Sequence, residues 1–284
     1  MSNKVVILTD STADLSKDLL KQYDVQSIPL YVRFGEDVYK DGIDITTPEL
    51  YQKVDSSGEL PKTAAASPGD FIDVFEKNIQ KGFDIVFIGI GSKLSATMQS
   101  AHIAKMEFPE GRIFLVDSAN LSSGIALLVL KAKDMRGQGM SAEGMAFALN
   151  ALVPKVRSQF AIKTLDYLHK GGRASGTAKL IGGILGIKPI IQVRDGKLTV
   201  YKKPAGKMSR ALDIMLDDYV SEGDNLDLDY VMITHSSADK QAVYMMEQVK
   251  EKTRPNAIIE SHAGCVISSH CGAGTIGILY LVKS

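Results

Sequence analysis

The chain has 284 residues, of which 45% are hydrophobic and 23% are charged, so its composition is typical of a globular protein with a core. Its length favours two domains over one. The 33 Lys and Arg residues balance 33 Asp and Glu residues, and this neutrality argues against a protein that wraps nucleic acid or coats an anionic membrane, because both depend on surplus cations.

The first half of the chain alternates predicted strands with predicted helices. The apolar run over 84–90 is typical of a strand buried on both faces of a parallel sheet. Thr-Pro and Ser-Pro pairs at 47–48 and 67–68 indicate two helix starts. The predicted strands are 5–8, 25–34, 84–90 and 112–116, and the predicted helices are 15–23, one beginning near 47, 71–80, 96–107, 122–136 and 142–152. This alternation predicts an α/β domain with a mainly parallel sheet.

The second half of the chain does not alternate strands and helices regularly. Asp195-Gly196 between two apolar runs predicts a hairpin that pairs 189–193 with 197–202. The other predicted strands are 157–163, 230–234, 257–260 and 278–282, the predicted helices are 165–170, a Gly-rich stretch up to 186, 209–219 and 239–252, and 265–277 is predicted to be a loop. The pattern predicts a mixed-sheet α+β domain, so we divide the chain into an N-terminal domain over 1–156 and a C-terminal domain over 157–284.

The segment Gly91–Thr97 lies where a buried strand meets a helix, and ligands of open α/β sheets bind at this edge. A helix N-terminus offers free amides and the positive end of a dipole, which favours an anion. Ser95 adds a hydroxyl. The alternative is that Ser95 only caps the helix.

Three further motifs are candidates for ligand binding. Thr63 precedes three alanines that let the backbone pack closely, although an ordinary loop is the alternative. Gly171-Gly172-Arg173 places an Arg, which suits a planar oxyanion, beside a flexible backbone, and the alternative is a helix end with Arg173 facing solvent. His270 lies among small residues and glycines, where it is either a ligand contact or a hydrogen-bonded core residue. Asp10, Asp117 and Ser118 end predicted strands, where capping of the next turn is an equal alternative.

The two cysteines, Cys265 and Cys271, are too few for a disulfide framework, and their spacing does not match a common zinc site. The first residues lack the apolar segment of a signal peptide. The apolar stretch over 180–193 is interrupted by glycines, a lysine and a proline, and is too short to span a bilayer. We therefore expect reduced thiols, no integral membrane span and a cytoplasmic, monomeric protein.

Seven segments in chain order resemble the DegV family, whose members are the fatty-acid-binding subunits of the bacterial fatty acid kinase system. The segments are 9–14, 60–63, 92–97, 116–118, 164–173, 187–190 and His270 with its glycines. The resemblance implies that one long-chain fatty acid binds between the domains with its carboxylate at Thr63 and Ser95. It also implies a non-catalytic subunit without metal or cofactor, which presents the fatty acid to a separate ATP-dependent kinase for phospholipid metabolism.

The same resemblance places Arg173 and His270 near the carboxylate, with Ser92 and Thr97 in the same neighbourhood. The apolar stretch that follows Arg173 is the candidate tunnel wall, with ordinary core as the alternative. Its candidate residues are Leu180, Ile184, Leu185, Ile187 and Ile190. Three positions depart from the family pattern, namely Ala64 and Ala96 at the two hydroxyl sites and Pro204 where an Arg linked to kinase docking is common.

Two other classes of function compete with a carrier. A hydrolase or transferase would use Ser95 or Ser11 as the nucleophile and His270 as the base, which requires hydrogen-bond distance between them. The sequence contains neither a G-x-S-x-G elbow nor a Walker-A pattern. A purely structural interaction protein is disfavoured by the many small polar residues at strand ends.

Overall fold

The structure, a computed structural model, describes residues 4–173 and 186–284. Its strands are β1 Val5–Asp10, β2 Val25–Ile28, β3 Tyr31–Phe34, β4 Asp37–Lys40, β5 Lys62–Ala64, β6 Asp84–Gly89, β7 Ile113–Asp117, β8 Val156–Ala161, β9 Ile190–Arg194, β10 Lys197–Lys202, β11 Leu226–Ser236, β12 Ala257–His262 and β13 Thr275–Val282. Its helices are α1 Lys17–Gln22, α2 Thr47–Ser57, α3 Pro68–Gln80, α4 Thr97–Lys105, α5 Ser123–Gly137, α6 Ala142–Leu152, α7 Asp166–Lys170, α8 Met208–Ser221, α9 Asp239–Lys252 and α10 Cys265–Cys271.

The first sheet is parallel throughout, with the strand order β2-β1-β6-β7. Its central strands are apolar on both faces because each face is covered. On one side Phe71 of α3 packs edge-to-face on Phe87 of β6, with ring centroids 5.0 Å apart. On the other side the buried face of α5 packs against Ile7 and Val86. Helices on both faces explain the continuous apolar runs in the sequence.

The second sheet is mixed, with the order β10-β9-β8-β13-β11-β12. Strand β13 lies at its centre, antiparallel to both β8 and β11. Asp195 and Gly196 take positive φ angles of 50° and 72° at the turn between β9 and β10, as a two-residue hairpin requires. The predicted fold class, a parallel-sheet α/β part followed by a mixed-sheet part, is confirmed. The boundary at 156 stays a prediction.

The segment 25–34, predicted as one strand, forms two. Pro29 separates β2, in the parallel sheet, from β3, which joins β4 and β5 in a small antiparallel sheet. This third sheet was not predicted, because β4 and β5 are short and mostly exposed. As a result Thr63 lies on a strand, paired with Val32, rather than in an ordinary loop.

The prediction of a loop over 265–277 is wrong. Residues 265–271 form α10, and β13 begins at Thr275. Helix α10 has no side-chain cap from its own N-terminal residue, Gly264, so the local sequence carries no start signal. By contrast, the predicted starts of α2 and α3 are confirmed, with capping boxes built on Thr46 and Ser67.

The polar residues at the strand ends cap the next turn, and Asp10 also binds the end of the neighbouring strand. Asp10 accepts hydrogen bonds from the Thr12 and Ile90 amides, and Asp117 accepts one from Ala119. In residues 4–173 and 186–284, no helix combines the length and the apolar character needed to cross a bilayer.

Candidate functional site

A largely apolar cavity lies between the parallel sheet, the six-stranded sheet and α10, with about 90 Å³ of space open to the centre of a water-sized sphere. Its apolar wall includes Leu30, Ile90, Leu94, Phe160, Leu198 and Leu279. Because these residues come from distant parts of the chain, the cavity forms only when both sheets are in place.

Two strands of the six-stranded sheet each contribute alternate residues to the cavity. Strand β8 contributes Ser158 and Phe160, and the neighbouring β13 contributes Gly277 and Leu279, which pair with them in reverse order. Thr234 on β11 pairs with Gly277 on the other side. The period of two along each strand is the sequence signal that could have identified these residues.

The cavity wall also carries Thr63 and Ser95, which were predicted to bind a carboxylate, and Arg173 and His270, which were predicted to lie near it. The Thr63 hydroxyl oxygen lies 2.8 Å from His270 Nε2. Thr63 is placed by β5 and His270 by the last turn of α10. The structure therefore brings together two residues that are 207 positions apart.

Ser95 lies in the loop between β6 and α4, and its hydroxyl accepts from the amide of Thr97, the first residue of the helix, at 3.3 Å, so it contacts the helix start as the capping alternative predicted. Ala96 occupies the cap position, and the Ser95 hydroxyl lies 2.9 Å from the hydroxyl of Thr97. Thr97 is fully buried and does not line the cavity, so it supports Ser95 from behind. Ser92 is exposed, and its amide donates to Asp117, away from the cavity wall.

The surroundings of His270 alter its protonation. Burial, with the nearby positive charge of Arg173, lowers the pKa of His270 to about 4, so its ring is neutral at pH 7. Its Nδ1 atom is buried without a hydrogen-bond partner in the part of the chain that the structure describes. Arg173 donates to the carbonyl oxygens of Gly171 and Leu94, at 2.8 and 3.4 Å.

We expect the His270 ring to titrate near pH 4, and to make stability depend on pH. The pKa of His270 in the folded protein lies below that of an unfolded histidine, so protonation of this ring favours the unfolded state. The free energy of unfolding is therefore unaffected by His270 protonation above about pH 6.5. It falls by about 3 kcal/mol as the pH drops from there towards 4. Imidazole NMR would give the pKa directly. Denaturation of wild type and His270→Gln at pH 7.5 and 4.5 should show a smaller loss in the variant, and equal losses would contradict the assignment.

The two glycines before Arg173 have different roles. A Cβ atom on Gly171 would lie 2.2 Å from His270 Nδ1, so only glycine leaves room for the imidazole ring. Gly172 has open space around it but a φ of 69°, which glycine adopts without strain. The motif was predicted to place Arg173, and the structure adds that it accommodates His270.

The predicted tunnel wall needs correction. Leu180, Ile184 and Leu185 lie outside the described residues. Ile190 packs in the core beneath the six-stranded sheet, with Ile233 and Ile278, and does not line the cavity. Its neighbour Ile191 faces the cavity side, in the cluster of Phe160, Leu168 and Leu198, because adjacent strand residues point to opposite faces. Ile187 is half-buried, bridges to Ala205 and also lies away from the cavity wall.

The contacts do not support a hydrolase or transferase. His270 is hydrogen-bonded to Thr63 rather than to a serine. The Ser11 hydroxyl donates to Asp41, at 2.9 Å, and the Ser95 hydroxyl contacts Thr97. A nucleophile of either kind would need the base within hydrogen-bond reach.

One group of side chains, His235, Asp239 and His262, has metal-ligand types within 4.8 Å of one another. The sequence spacing did not indicate this group, which the pairing of β11 with β12 creates. His235 Nδ1 lies 3.1 Å from the Ala238 amide, and Nε2 lies 3.1 Å from Glu260. Both ring nitrogens already have partners, so we interpret His235 as a residue that fixes the start of α9.

Comparison with known proteins identifies relatives along the whole chain. The profile of the DegV family, described as uncharacterised proteins, matches residues 4–283. A DegV domain-containing protein of Clostridium acetobutylicum is 34% identical over 280 residues, which make up 99% of each chain. The solved structure of a fatty-acid-binding DegV family protein from Thermus thermophilus has a TM-score of 0.92 and 30% identity, covering 98% of this chain and 99% of that one. A stearic-acid-binding protein from Eubacterium ventriosum has a TM-score of 0.86 and 29% identity, covering 98% of each chain.

Proposed function

The chain belongs to the DegV family, and from this premise we propose that it binds a single long-chain fatty acid. The carboxylate would lie among Thr63, Ser95, Arg173 and His270, with the tail in the cavity. The observation that carries the proposal is one apolar cavity whose wall includes a hydroxyl pair, a guanidinium and a neutral imidazole. Two of the solved structures with this fold are of proteins named for fatty-acid binding.

The balance of energies assigns different tasks to the tail and to the headgroup. A C16 tail has about 14 methylenes, and their burial at about 0.8 kcal/mol each offers on the order of 11 kcal/mol before losses. A hydroxyl hydrogen bond contributes about 0.5 to 3 kcal/mol, the upper part of that range applying to a charged partner. The tail would therefore supply most of the affinity, and Thr63 and Ser95 would orient the carboxylate.

Arg173 and His270 complement a carboxylate in different ways. Arg173 is exposed at the cavity edge and supplies the positive charge. His270 is neutral and supplies a ring N–H without a second charge, so an anion would be held without burying two cations.

Mass spectrometry tests the proposal most directly. We expect the protein, purified from bacterial cells and denatured at once, to release a fatty acid of about 16 to 18 carbons, close to one per chain, because buried methylenes give slow dissociation. Delipidated protein should rebind palmitate with the same stoichiometry. Protein that carries no lipid and does not bind added palmitate would exclude the function.

We also propose that the protein is not an enzyme, acts in the cytoplasm, and presents the bound carboxylate to a separate ATP-dependent kinase. At the edge strand β10, Lys202 is paired with Asp218 at 2.8 Å, and Lys203 is exposed beside Pro204. Lys203 is therefore the more available cation for a docking partner at this edge.

Ser95→Ala separates binding from presentation. We expect palmitate affinity to fall by less than about tenfold, because one hydrogen bond is lost and the tail is unaffected. Acyl phosphate formation by a bacterial fatty acid kinase should fall further at saturating protein, because the carboxylate is misoriented. Thr97→Ser is the matched control, since it changes a residue outside the cavity lining and keeps the hydroxyl that contacts Ser95. Equal phosphorylation rates for Ser95→Ala and wild type would remove the orienting role.

A further inference from the structure

Helix α10, which carries His270, is held at its N-terminus by side chains from the first 41 residues. The Gly264 amide donates to Asp14 Oδ1 at 2.8 Å, and the Cys265 amide donates to Asp41 Oδ1 at 2.7 Å. Both aspartates are at most 5% exposed. Two carboxylates that are distant in sequence therefore take the place of a local cap.

Gly264 is fitted to these two carboxylates. A Cβ atom there would lie 3.2 Å from Asp14 Oδ1 and 3.2 Å from both oxygens of Asp41. The φ and ψ of Gly264, −66° and 178°, are open to any residue, so its backbone conformation does not require glycine. The requirement is space, which lets two carboxylates reach the start of the helix together.

The second oxygen of each carboxylate is held by the N-terminal part of the chain. Asp14 Oδ2 accepts from the Ser122 hydroxyl at 2.5 Å, and Asp41 Oδ2 accepts from the Ser11 hydroxyl at 2.9 Å. The carboxylates are therefore fixed independently of α10, and they define where the helix begins.

Helix capping alone does not explain this arrangement. Helices α1, α3 and α6 each use a local serine, namely Ser16, Ser67 and Ser141. At α10 two carboxylates are buried instead, and burial raises the pKa of Asp14 and of Asp41, which means that their charged forms are disfavoured there. In return for this energetic cost, the two carboxylates connect α10 to the loops after β1 and β4. A serine at position 264 would cap the helix without making this connection.

Helix α10 also forms part of the cavity wall, from its first turn to its last. Val266, Ile267, His270 and Cys271 line it. His270 is five residues beyond Cys265, or about 8 Å along the axis, so a small shift or tilt at the start moves the imidazole relative to Thr63. Their 2.8 Å hydrogen bond tolerates little displacement.

We propose that Asp14 and Asp41 are positioning residues for the carboxylate site, which they serve by fixing α10 so that His270 meets both Thr63 and the bound headgroup. This inference rests on the proposed fatty-acid binding. Asp14 and Asp41 do not themselves line the cavity.

The test compares a ligand that has the carboxylate with one that lacks it. Affinities for palmitate and for hexadecanol are measured on delipidated wild type, Asp14→Asn, Asp41→Asn and Gly264→Ala. We expect the palmitate-to-hexadecanol affinity ratio to fall about tenfold in each variant, with hexadecanol affinity within about twofold of wild type. Gly264→Ala keeps both carboxylates and crowds them at 3.2 Å from the start of the helix, so it tests the geometry if an aspartate variant does not fold.

Asp70→Asn is the matched control. Asp70 also binds at a helix start, accepting from the Ser67 amide at 2.8 Å, but it does not line the cavity. It should lower the melting temperature without changing the ratio. An unchanged ratio in the folded Asp14, Asp41 and Gly264 variants, or an equal loss of both ligands, would overturn the positioning role. Wild type that binds neither ligand would instead reject the proposed function.

Discussion

Ile90→Trp is expected to lower palmitate affinity by about two orders of magnitude. Ile90 lies at the carboxyl end of β6, is 6% exposed and lines the cavity. An indole there would occupy space for about four methylenes of the tail, and at about 0.8 kcal/mol each their exclusion costs about 3 kcal/mol. Calorimetric titration of delipidated protein with palmitate measures this effect.

A shorter fatty acid shows whether Ile90→Trp weakens binding by filling the cavity or by disrupting the fold. Decanoate leaves more of the cavity unused, so its affinity should fall by less than that of palmitate. Ile90→Leu keeps the volume and serves as the control, with palmitate affinity close to wild type. If Ile90→Trp bound both acids as wild type does, the tail would not occupy this cavity.

Gly171→Ala is expected to displace the His270 ring from the proposed headgroup site. The added methyl would lie 2.2 Å from His270 Nδ1, so the ring must move away from Thr63. Overpacking of this kind typically costs about 1 to 3 kcal/mol of stability. Palmitate affinity should fall about tenfold, because the headgroup loses at least one hydrogen bond.

The control for this substitution is Gly137→Ala, at the end of α5, where an added Cβ meets nothing within 4 Å. Alanine favours helix over glycine, so this variant should be as stable as wild type or slightly more stable. Thermal unfolding and the chemical shifts of the His270 ring would report the outcome. Unchanged ring shifts in Gly171→Ala would mean that the imidazole is not held in this position.

Sequence patterns predicted the layered parts of the fold because those parts depend on local signals. The apolar run of β6 and the proline-marked starts of α2 and α3 need only their own residues to be interpreted. Helix α10 depends instead on aspartates more than 200 residues away, so its segment resembled a loop. The same limit applies to the third sheet, which forms only when β5 pairs with β3.

Motifs suggested the residues that we propose for the headgroup, whereas most of the cavity wall was not predicted. Thr63, Ser95, Arg173 and His270 came from the family resemblance, and all four line one cavity. The tail wall was predicted in the apolar stretch after Arg173, yet Ile190 faces the core instead. Alternate residues of β9 point to opposite faces of the sheet. Which face Ile190 occupies cannot be assigned until the strand's first residue and its pairing partner are known.

The central place of β13 has a consequence for how the protein acquires its cavity during synthesis. Among the described strands β13 leaves the ribosome last. It lies between β8 and β11 and pairs with both, so these two strands are joined only by β13. The six-stranded sheet therefore cannot close until β13 has emerged, although the parallel sheet already can. A ribosome-bound chain stalled before Thr275 would lack Thr275, Gly277 and Leu279 of the cavity wall, so the proposed fatty acid could not be loaded before this strand is made.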